Sequence, residues 1–322
     1  MNDQLPDFEA SQRDEIEILL ATFNGARFLP QLLESILAQS DHRWRLLVRD
    51  DRSTDDTCEI VKSWAAAHPG RIQFLDEGSM GLGVVGNFAY LMERSTAKLI
   101  AFCDQDDFWH AEKLAMSRER IEELQSQFGE HTPLLVHTDL EVVDSQLRTI
   151  SSSMWNYQKL DPNASEDPVK LAIQNGITGC TMLVNRALIL RSLPLPGGVA
   201  MHDWWLALVA SSFGRIGEIR RPLVKYRQHE GNAVGARPWG LDMRGIRRSR
   251  RVLFLESLRV SSLQAEVFVD RFGKNIPKSQ LDRYLAWSRV PRVGWASKRY
   301  LIVKHRLFRT GVARTISLIV RV

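Results

Sequence analysis

Short apolar runs alternate with segments of helical periodicity along the first 140 residues of the chain. Residues 15–21, 44–49 and 99–103 are rich in Ile, Leu and Val, and this pattern predicts buried strands. Residues 29–39 carry leucine and isoleucine at i, i+3 and i+4 spacing, which predicts an amphipathic helix. Strands that alternate with helices indicate an α/β fold, with a mostly parallel, Rossmann-like central sheet covered on both faces.

The pattern of apolar residues in the rest of the chain indicates how the chain divides into regions. After residue 231 it becomes helical, without a further strong strand signal. We therefore predict a flexible N-terminus at 1–14, an α/β domain at 15–235 and a basic helical region at 236–322. The other predicted strands are 72–75, 133–138, 178–185 and 223–228, and the other predicted helices are 54–68 (N-cap Ser53), 87–95, 112–127 and 186–192.

Acidic residues follow two of the predicted strands at their carboxyl ends. Asp50-Asp51 closes the second strand, and the sequence DQDD at 104–107 closes the fourth. Ligands bind beyond this edge in parallel α/β sheets. Three carboxylates within four residues repel one another, and a hard divalent cation with oxygen ligands would relieve that repulsion. The alternatives are a solvated turn at 104–107 and ion pairs of Asp50-Asp51 with neighbouring arginines.

Three further features carry candidate chemistry. Asp203 opens the apolar stretch 204–213, where it suits a helix N-cap or a general base at the mouth of a cleft. His229 ends the last predicted strand and suits a metal ligand, a phosphate contact or an ordinary surface histidine. The sequence GLGVVG at 81–86 matches a dinucleotide fingerprint, but it lies in the third βα unit after a short strand, which disfavours a dinucleotide site.

Composition narrows the class of protein. The 322 residues are 44% hydrophobic and 25% charged, which excludes disordered and collagen-like chains. The three cysteines, Cys58, Cys103 and Cys180, are widely spaced and odd in number, so we expect no disulfide framework and a cytoplasmic location. Residues 1–14 lack the apolar segment of a signal peptide, and no window reaches about 18 apolar residues. We expect no membrane-spanning segment.

Charge is distributed unevenly along the chain. Residues 231–322 contain 20 Lys and Arg against 5 Asp and Glu, whereas the first 230 residues carry a net charge of −10. In the basic region, aromatic residues such as Trp287, Trp295 and Tyr300 lie among the cations, a pattern that suits contact with an anionic membrane surface. The alternative is a helical packing region with a solvated basic face. No nucleic-acid recognition module is present, so we expect no nucleic-acid partner.

Taken together, five stretches resemble glycosyltransferase family 2, whose nucleotide-sugar fold is called GT-A. They occur in order over about residues 15–235, and their sequences are most similar to those of bacterial rhamnosyltransferase-type members. The processive Gln-x-x-Arg-Trp motif is absent, which favours the addition of one sugar at a time. The stretches are LATFNG at 20–25, RDDRSTD at 49–55, FCDQDD at 102–107, MHDWW at 201–205 and YRQH at 226–229.

The resemblance implies a donor nucleoside at the first acidic cluster. Asp51 would hydrogen-bond the pyrimidine ring, Thr22 and Asn24 would lie near the nucleoside, and Asp104 would lie by the ribose. Arg52 departs from the family pattern, because relatives usually have glycine at this position.

The resemblance also implies the groups at the diphosphate and the acceptor. Asp106 would bind a Mg²⁺ or Mn²⁺ ion that bridges the diphosphate, and His229 would join it as a metal or phosphate contact. Arg227 would help to hold the diphosphate. Asp203 matches the general base of the family, which would remove a proton from the attacking hydroxyl.

The resulting prediction is an inverting, metal-dependent glycosyltransferase. The donor would be a dTDP- or UDP-sugar, with dTDP-rhamnose as the best candidate, and the acceptor a glycan or lipid-linked saccharide in cell-surface polysaccharide synthesis. Such an enzyme could sit peripherally on the inner face of the cell membrane. Two alternatives stay open: a non-catalytic nucleotide-sugar-binding protein, and a phosphotransfer enzyme, although the phosphate-binding motif GxxxxGK[ST] is absent.

Overall fold

The computed structural model describes residues 15–75, 81–230 and 247–322. These residues form an α/β structure whose strands all belong to one sheet. The strands are β1 (Ile16–Thr22), β2 (Trp44–Asp50), β3 (Ile72–Phe74), β4 (Leu99–Asp104), β5 (Phe108–Trp109), β6 (Leu134–Val143), β7 (Thr149–Ser151), β8 (Leu183–Asn185) and β9 (Arg215–Arg227).

Helices cover this sheet and continue beyond it. Those between the strands are α1 (Leu29–Leu37), α2 (Thr57–Ala67), α3 (Gly83–Arg94), α4 (Lys113–Phe128), α5 (Met154–Gln158), α6 (Pro168–Ile173), α7 (Arg186–Ser192) and α8 (His202–Phe213). The C-terminal ones are α9 (Arg247–Phe272), α10 (Lys278–Arg289), α11 (Trp295–Lys304) and α12 (Val312–Arg321).

The strand order is β3-β2-β1-β4-β8-β6-β9-β5, with β7 paired to β6. Strands β3, β2, β1 and β4 are parallel, and so are β6 and β9, whereas β8 runs antiparallel to both of its neighbours. The short strand β5 is antiparallel to β9. The expected α/β class with a largely parallel sheet is therefore confirmed, and the parallel half places the ends of β1, β2 and β4 at one edge.

Alternate residues of the buried strands face opposite sides of the sheet, as the period of two requires. In β1, Ile18 and Leu20 belong to one apolar cluster with α1 and α4, and Leu19 belongs to another with α3 and α8. In β4, Ala101 and Phe102 divide in the same way. Burial on both faces explains why these strands read as almost continuous apolar runs.

Two predicted strands differ most from the observed ones, and β6 also continues to Val143, five residues beyond the predicted end at 138. Residues 178–185 form a 3-10 turn at Gly179–Thr181 followed by the three-residue strand β8. Strand β9 begins at Arg215, eight residues before the predicted start, because pairing with β6 sustains a polar segment that carries no strand signal of its own. Tertiary pairing outweighs local propensity at both places.

The C-terminal helices pack against the α/β region through aromatic side chains. Trp205 of α8 lies 5.7 Å from Phe268 of α9 between ring centroids, and Phe268 stacks on Tyr284 of α10 at 5.0 Å. Trp287 is fully buried in the same cluster, so it is not one of the exposed aromatic residues that the sequence pattern suggested. The division at residue 235 falls outside the described residues and stays a prediction.

Two expectations about the whole chain can be compared with the described residues. Cys58, Cys103 and Cys180 are all free thiols, as expected from their spacing. Among the described residues, we find no helix with the length and apolar character needed to span a bilayer.

Candidate active site

The parallel strands bring the candidate residues to one edge of the sheet. Thr22 at the end of β1 is in register with Asp50 of β2, and Ala21 is in register with Asp104 of β4. The two acidic clusters therefore lie on either side of the end of β1. This is the position at which ligands bind in sheets of this type.

Thr22 and Asp50 form the inner part of this edge. The Thr22 hydroxyl donates to Asp50 Oδ2 at 2.8 Å, and Asp50 also accepts from the backbone N–H and the hydroxyl of Ser53 at 2.7 and 2.6 Å. Ser53 is therefore not the N-cap predicted for the helix of residues 54–68, which begins only at Thr57. Thr22 is buried, so in this structure it shapes the loop that surrounds the cleft.

Asn24 connects the loops that follow β1 and β2. Its backbone has φ of 49°, a left-handed conformation that asparagine tolerates. Its side-chain Oδ1 accepts from the Thr54 N–H at 2.8 Å, and its own N–H donates to Ser53 Oγ at 2.7 Å. These bonds fix the two loops relative to each other.

Asp51 lies against the N-terminus of α3. Its two carboxylate oxygens accept from the backbone N–H groups of Leu82 and Gly83 at 2.7 and 2.8 Å, and Arg49 lies at 3.2 Å. The amides of the GLGVVG sequence thus orient a carboxylate. Oδ1 accepts from both Leu82 and Arg49, whereas Oδ2 accepts from Gly83 and keeps a second acceptor position for a ligand, since each carboxylate oxygen offers about two.

Phe23 lies at this edge of the sheet, and the sequence pattern did not indicate it as a site residue. Its ring is 54% exposed, although its backbone is held by Gln105, which accepts from Phe23 N–H and donates to Phe23 C=O, both at 2.8 Å. Gly25 leaves room for this pair, because a Cβ there would lie 2.3 Å from Gln105 Oε1 and would displace the Gln105 side chain. An exposed aromatic ring on a fixed backbone suits stacking against a base.

Arg52 adopts φ of 72°, the left-handed region that glycine enters without cost. This conformation costs a non-glycine residue about 1–2 kcal/mol. A glycine avoids this cost, but the greater freedom of the unfolded glycine chain lowers the free energy of unfolding by about 0.4–1 kcal/mol. We expect Arg52→Gly to raise the free energy of unfolding by about 0.5 kcal/mol in urea titrations. Arg43→Gly, at an exposed arginine without positive φ, should instead lower it.

Asp104 lies where three acidic groups approach one another. Burial, together with the nearby carboxylates of Asp106 and Asp203, raises the pKa of Asp104 to about 7. The structure therefore brings together residues that are about 100 positions apart in the chain. Such a concentration of negative charge is costly unless a cation or protons relieve it.

Asp106 and His229 meet at the outer part of the edge. Their side chains, Oδ2 and Nε2, are 2.7 Å apart, and both side chains are partly exposed. The His229 ring also lies 4.8 Å from the ring of Phe28. The two residues that we expect to contact a metal ion therefore touch each other directly.

Arg227 does not face the cleft as the predicted diphosphate contact requires. It is 1% exposed, with Nε donating to the Asp106 carbonyl, Nη1 to the Ser145 carbonyl and Nη2 to Gln31 Oε1, each at 2.8 Å. Its guanidinium also lies over the Phe28 ring. The geometry assigns Arg227 the role of holding the Asp106 loop in place rather than contacting a ligand directly.

Asp203 lies in the first turn of α8 and is held by backbone N–H groups. Gly179 donates to its Oδ2 at 3.0 Å and Trp204 donates to its Oδ1 at 2.5 Å. Burial raises the pKa of Asp203 to about 6, although these two bonds favour the charged form. The carboxylate is therefore fixed in position and titrates close to neutral pH.

The segment 178–181 links the two halves of the site. Gly179 contacts Asp203, and the thiol of the adjacent Cys180 is hydrogen-bonded to the carboxylates of Asp104 and Asp107. A Cβ on Gly179 would lie 3.2 Å from His202 Nε2, so this position needs a small residue. The sequence TGCT at 178–181 drew attention to this segment, but its pattern predicted a strand instead of a turn.

Two sets of residues could hold a divalent ion. The ligand atoms of Asp104, Asp107 and Cys180 lie within 4.8 Å of one another, but Asp107 and Cys180 are fully buried, and a thiol suits Mg²⁺ poorly. Asp106 and His229 offer an oxygen and a nitrogen at one partly exposed point. A Mg²⁺ or Mn²⁺ ion therefore fits Asp106 and His229 better.

Comparison with known families agrees with this arrangement. The family described as glycosyl transferase family 2 matches residues 17–186, which is more than half of the chain. The chain belongs to glycosyltransferase family 2. It is a glycosyltransferase that acts on nucleotide-sugar donors.

Individual relatives cover most of the sequence. The chain is 25% identical over 228 residues to the dTDP-rhamnosyl transferase RfbG of Shigella flexneri, covering 67% of this chain and 74% of the relative. It is 24% identical over 272 residues to the putative teichuronic acid biosynthesis glycosyltransferase TuaG of Bacillus subtilis, covering 83% of this chain and 97% of the relative.

Solved structures share the GT-A fold. S. aureus TarS 1-349 in complex with UDP-GlcNAc superposes with a TM-score of 0.54 at 15% identity, over 95% of this chain and 89% of that chain. Mannosyltransferase PcManGT from Pyrobaculum calidifontis, in complex with GDP-Man and Mn²⁺, superposes with a TM-score of 0.50 at 17% identity, over 95% and 86%.

Proposed function

We propose that the protein is an inverting, metal-dependent transferase that moves one sugar from a nucleotide donor to a hydroxyl group of a saccharide. The observation that supports this most strongly is Asp203, a carboxylate that two backbone N–H groups hold beside Asp104 at the acidic edge. A protein that only bound nucleotide sugars would have no use for a carboxylate whose pKa of about 6 suits proton transfer at this point. A phosphotransfer enzyme would need a phosphate-binding loop, whereas the amides of Leu82 and Gly83 contact Asp51.

The reaction follows from the position of Asp203. The acceptor hydroxyl oxygen forms a bond to the anomeric carbon while its proton passes to the Asp203 carboxylate. The bond from the anomeric carbon to the diphosphate oxygen breaks, and its electron pair leaves with the nucleoside diphosphate. Because attack and departure occur on opposite faces, the configuration at the anomeric carbon inverts. A base with a pKa near 6 is suited to this proton transfer at neutral pH.

Asp106 and His229 would hold the Mg²⁺ or Mn²⁺ ion. When bound, such an ion supplies positive charge that stabilises the departing diphosphate. Arg227 supports this role from within the protein, because it holds the Asp106 backbone carbonyl and keeps the loop in place. The repulsion that raises the pKa of Asp104 is consistent with a site that binds a cation.

The donor nucleoside would lie between Phe23 and Asp51. The Phe23 ring offers a stacking surface, and the remaining acceptor position on Asp51 Oδ2 can accept from the N–H of a pyrimidine base. Thr22 and Asn24 shape the loops on which these groups stand, and Asp104 lies toward the ribose. Among the pyrimidines, this arrangement favours uracil or thymine, since both carry a ring N3–H that cytosine lacks.

The similarity to a dTDP-rhamnosyl transferase makes dTDP-rhamnose our first candidate for the donor, with a UDP-sugar as the second. The similarity to a teichuronic acid biosynthesis glycosyltransferase favours cell-surface polysaccharide synthesis, with a glycan or lipid-linked saccharide as acceptor. A lipid-linked acceptor would place the enzyme peripherally at the cytoplasmic face of the cell membrane.

A thermal-shift panel tests the donor class. UDP, dTDP, GDP and CMP are each added with Mg²⁺, Mn²⁺ or EDTA, and a ligand at 100 times its Kd should add about 2.7 kcal/mol to the free energy of unfolding. We expect stabilisation by dTDP or UDP that depends on metal. Stabilisation by GDP or CMP alone would contradict the assignment of a uracil or thymine donor, and no response to any nucleotide would contradict the donor site.

A further inference from the structure

Helices α11 and α12 expose an unusual group of large apolar side chains. Trp295 is 68% exposed and Val320 is 67% exposed, and both lie on helices that are otherwise packed through Ile302 and Leu318. Tyr300 and Val303 on α11 are three residues apart and Ile316 and Val320 on α12 are four apart, so each pair shares a face of its helix, and Trp295 stands at the start of α11. The group consists of Trp295, Tyr300 and Val303 on α11 and Ile316 and Val320 on α12.

Arg299 joins the two helices into one surface. Its guanidinium lies over the Trp295 ring at 3.9 Å, and it donates to the backbone carbonyls of Val320 and Val322 at 3.1 Å. The exposed ring of Trp295 is therefore next to the end of α12 that carries Val320. These contacts fix Trp295 beside the end of α12 that carries Ile316 and Val320.

Basic residues surround this face, and acidic residues are almost absent from the sequence around it. Residues 273–322 contain 12 Lys and Arg and a single acidic residue, Asp282. Lys304 lies 5.1 Å from the Tyr300 ring, and Arg321 is exposed beside Val320. The surface thus combines apolar side chains, two aromatic rings with polar tips and a strong positive charge.

We propose that this face, Trp295, Tyr300, Val303, Ile316 and Val320 with its basic rim, docks onto an anionic lipid bilayer. Tryptophan and tyrosine are suited to the membrane interface because one part of each ring is apolar and the other is polar. Lysine and arginine can bury their methylene stems while their charges reach the lipid headgroups. The proposal extends the proposed function, since a lipid-linked acceptor would be reached from such a surface.

Charge distinguishes the bilayer from a second copy of the chain. A twofold contact through this face would bring the two basic rims together, each with Lys304 and Arg321, and like charges at an interface oppose association. An anionic headgroup layer instead complements the same rim. The observations therefore favour a lipid surface over self-association.

The test is cosedimentation of the full chain with phosphatidylcholine vesicles that contain or lack phosphatidylglycerol. We expect binding only to the anionic vesicles, weakened at high salt, and at least about tenfold weaker for Trp295→Ser/Val320→Ser. The matched control is Leu190→Ser on α7, because Leu190 is also 68% exposed but lies outside this face. The control should bind like the unmodified protein.

Two additional readouts separate this proposal from the proposed function. Thermal stability and nucleotide-induced stabilisation should be the same for the double variant as for the unmodified protein, because the altered side chains lie on the surface. Equal vesicle binding by the double variant and the Leu190→Ser control would overturn the docking face even if nucleotide binding were normal. A dimer that the double variant dissociates would assign the face to a second copy of the chain and also overturn the proposal.

Discussion

Asp203→Asn is expected to lower kcat for sugar transfer by about 10³-fold while leaving nucleotide affinity within about twofold of the unmodified protein. The amide cannot accept the proton of the attacking hydroxyl. It is nearly isosteric, and the side-chain oxygen can still accept from one of the two N–H groups that hold Asp203. The measurements are initial rates of transfer and thermal shifts with the nucleoside diphosphate.

The pH dependence provides a second signature of Asp203. Because burial raises its pKa to about 6, the carboxyl group keeps its proton until that pH and cannot act as a base below it. We expect kcat to rise with pH and to level off above about 7 in the unmodified protein. The residual activity of Asp203→Asn should lack this limb of the profile.

A control separates this effect from a general loss of carboxylate charge. Asp161→Asn alters an exposed loop residue that lies outside the site and should leave the rate unchanged. Normal turnover by Asp203→Asn would contradict the base assignment. Loss of both turnover and nucleotide binding, with a lowered melting temperature, would show that Asp203 acts mainly as a structural residue of α8.

Asp106→Asn is expected to remove the contribution of the metal to donor binding and to lower kcat/KM by about 100-fold. An amide oxygen is a weaker ligand for Mg²⁺ or Mn²⁺ than a carboxylate. Nucleotide affinity of the variant in the presence of metal should therefore approach the affinity that the unmodified protein shows in EDTA. The measurement is a nucleotide titration at several fixed metal concentrations.

His229→Gln provides a graded companion to this variant. Loss of the imidazole should weaken metal-dependent binding less than loss of the Asp106 carboxylate, because the charged ligand remains. The Asp161→Asn control should retain the full response to metal. An Asp106→Asn variant that still binds nucleotide more tightly with metal than with EDTA would move the metal to another set of ligands.

Much of the fold could be predicted from the sequence because burial on both sheet faces leaves a local signature. The strands β1, β2 and β4 were predicted within one residue of their observed bounds, and their acidic ends lie at one edge as expected. Strand β9 was predicted only in part. Its first half is rich in arginine without regular alternation, and it is held by pairing with β6, which no local pattern records.

The site was less predictable, because similarity identifies residue types but not the direction of a side chain. Arg227 matches the sequence motif of the family. Its position at the end of β9, however, directs the guanidinium into the protein toward Gln31 and Ser145. The glycine usual at position 52 is explained by the φ of Arg52. The contacts of Cys180 depend on a 3-10 turn that reads as a strand in the sequence.

The proposed metal and nucleotide sites are tested most directly by a crystal structure with a pyrimidine nucleoside diphosphate and Mn²⁺, in which the anomalous scattering of manganese locates the ion. We predict an ion about 2.1 Å from ligand atoms of Asp106 and His229, with the base beside Asp51 and Phe23. An ion bound by Asp104, Asp107 and Cys180, or a nucleotide away from the carboxyl ends of β1, β2 and β4, would contradict it.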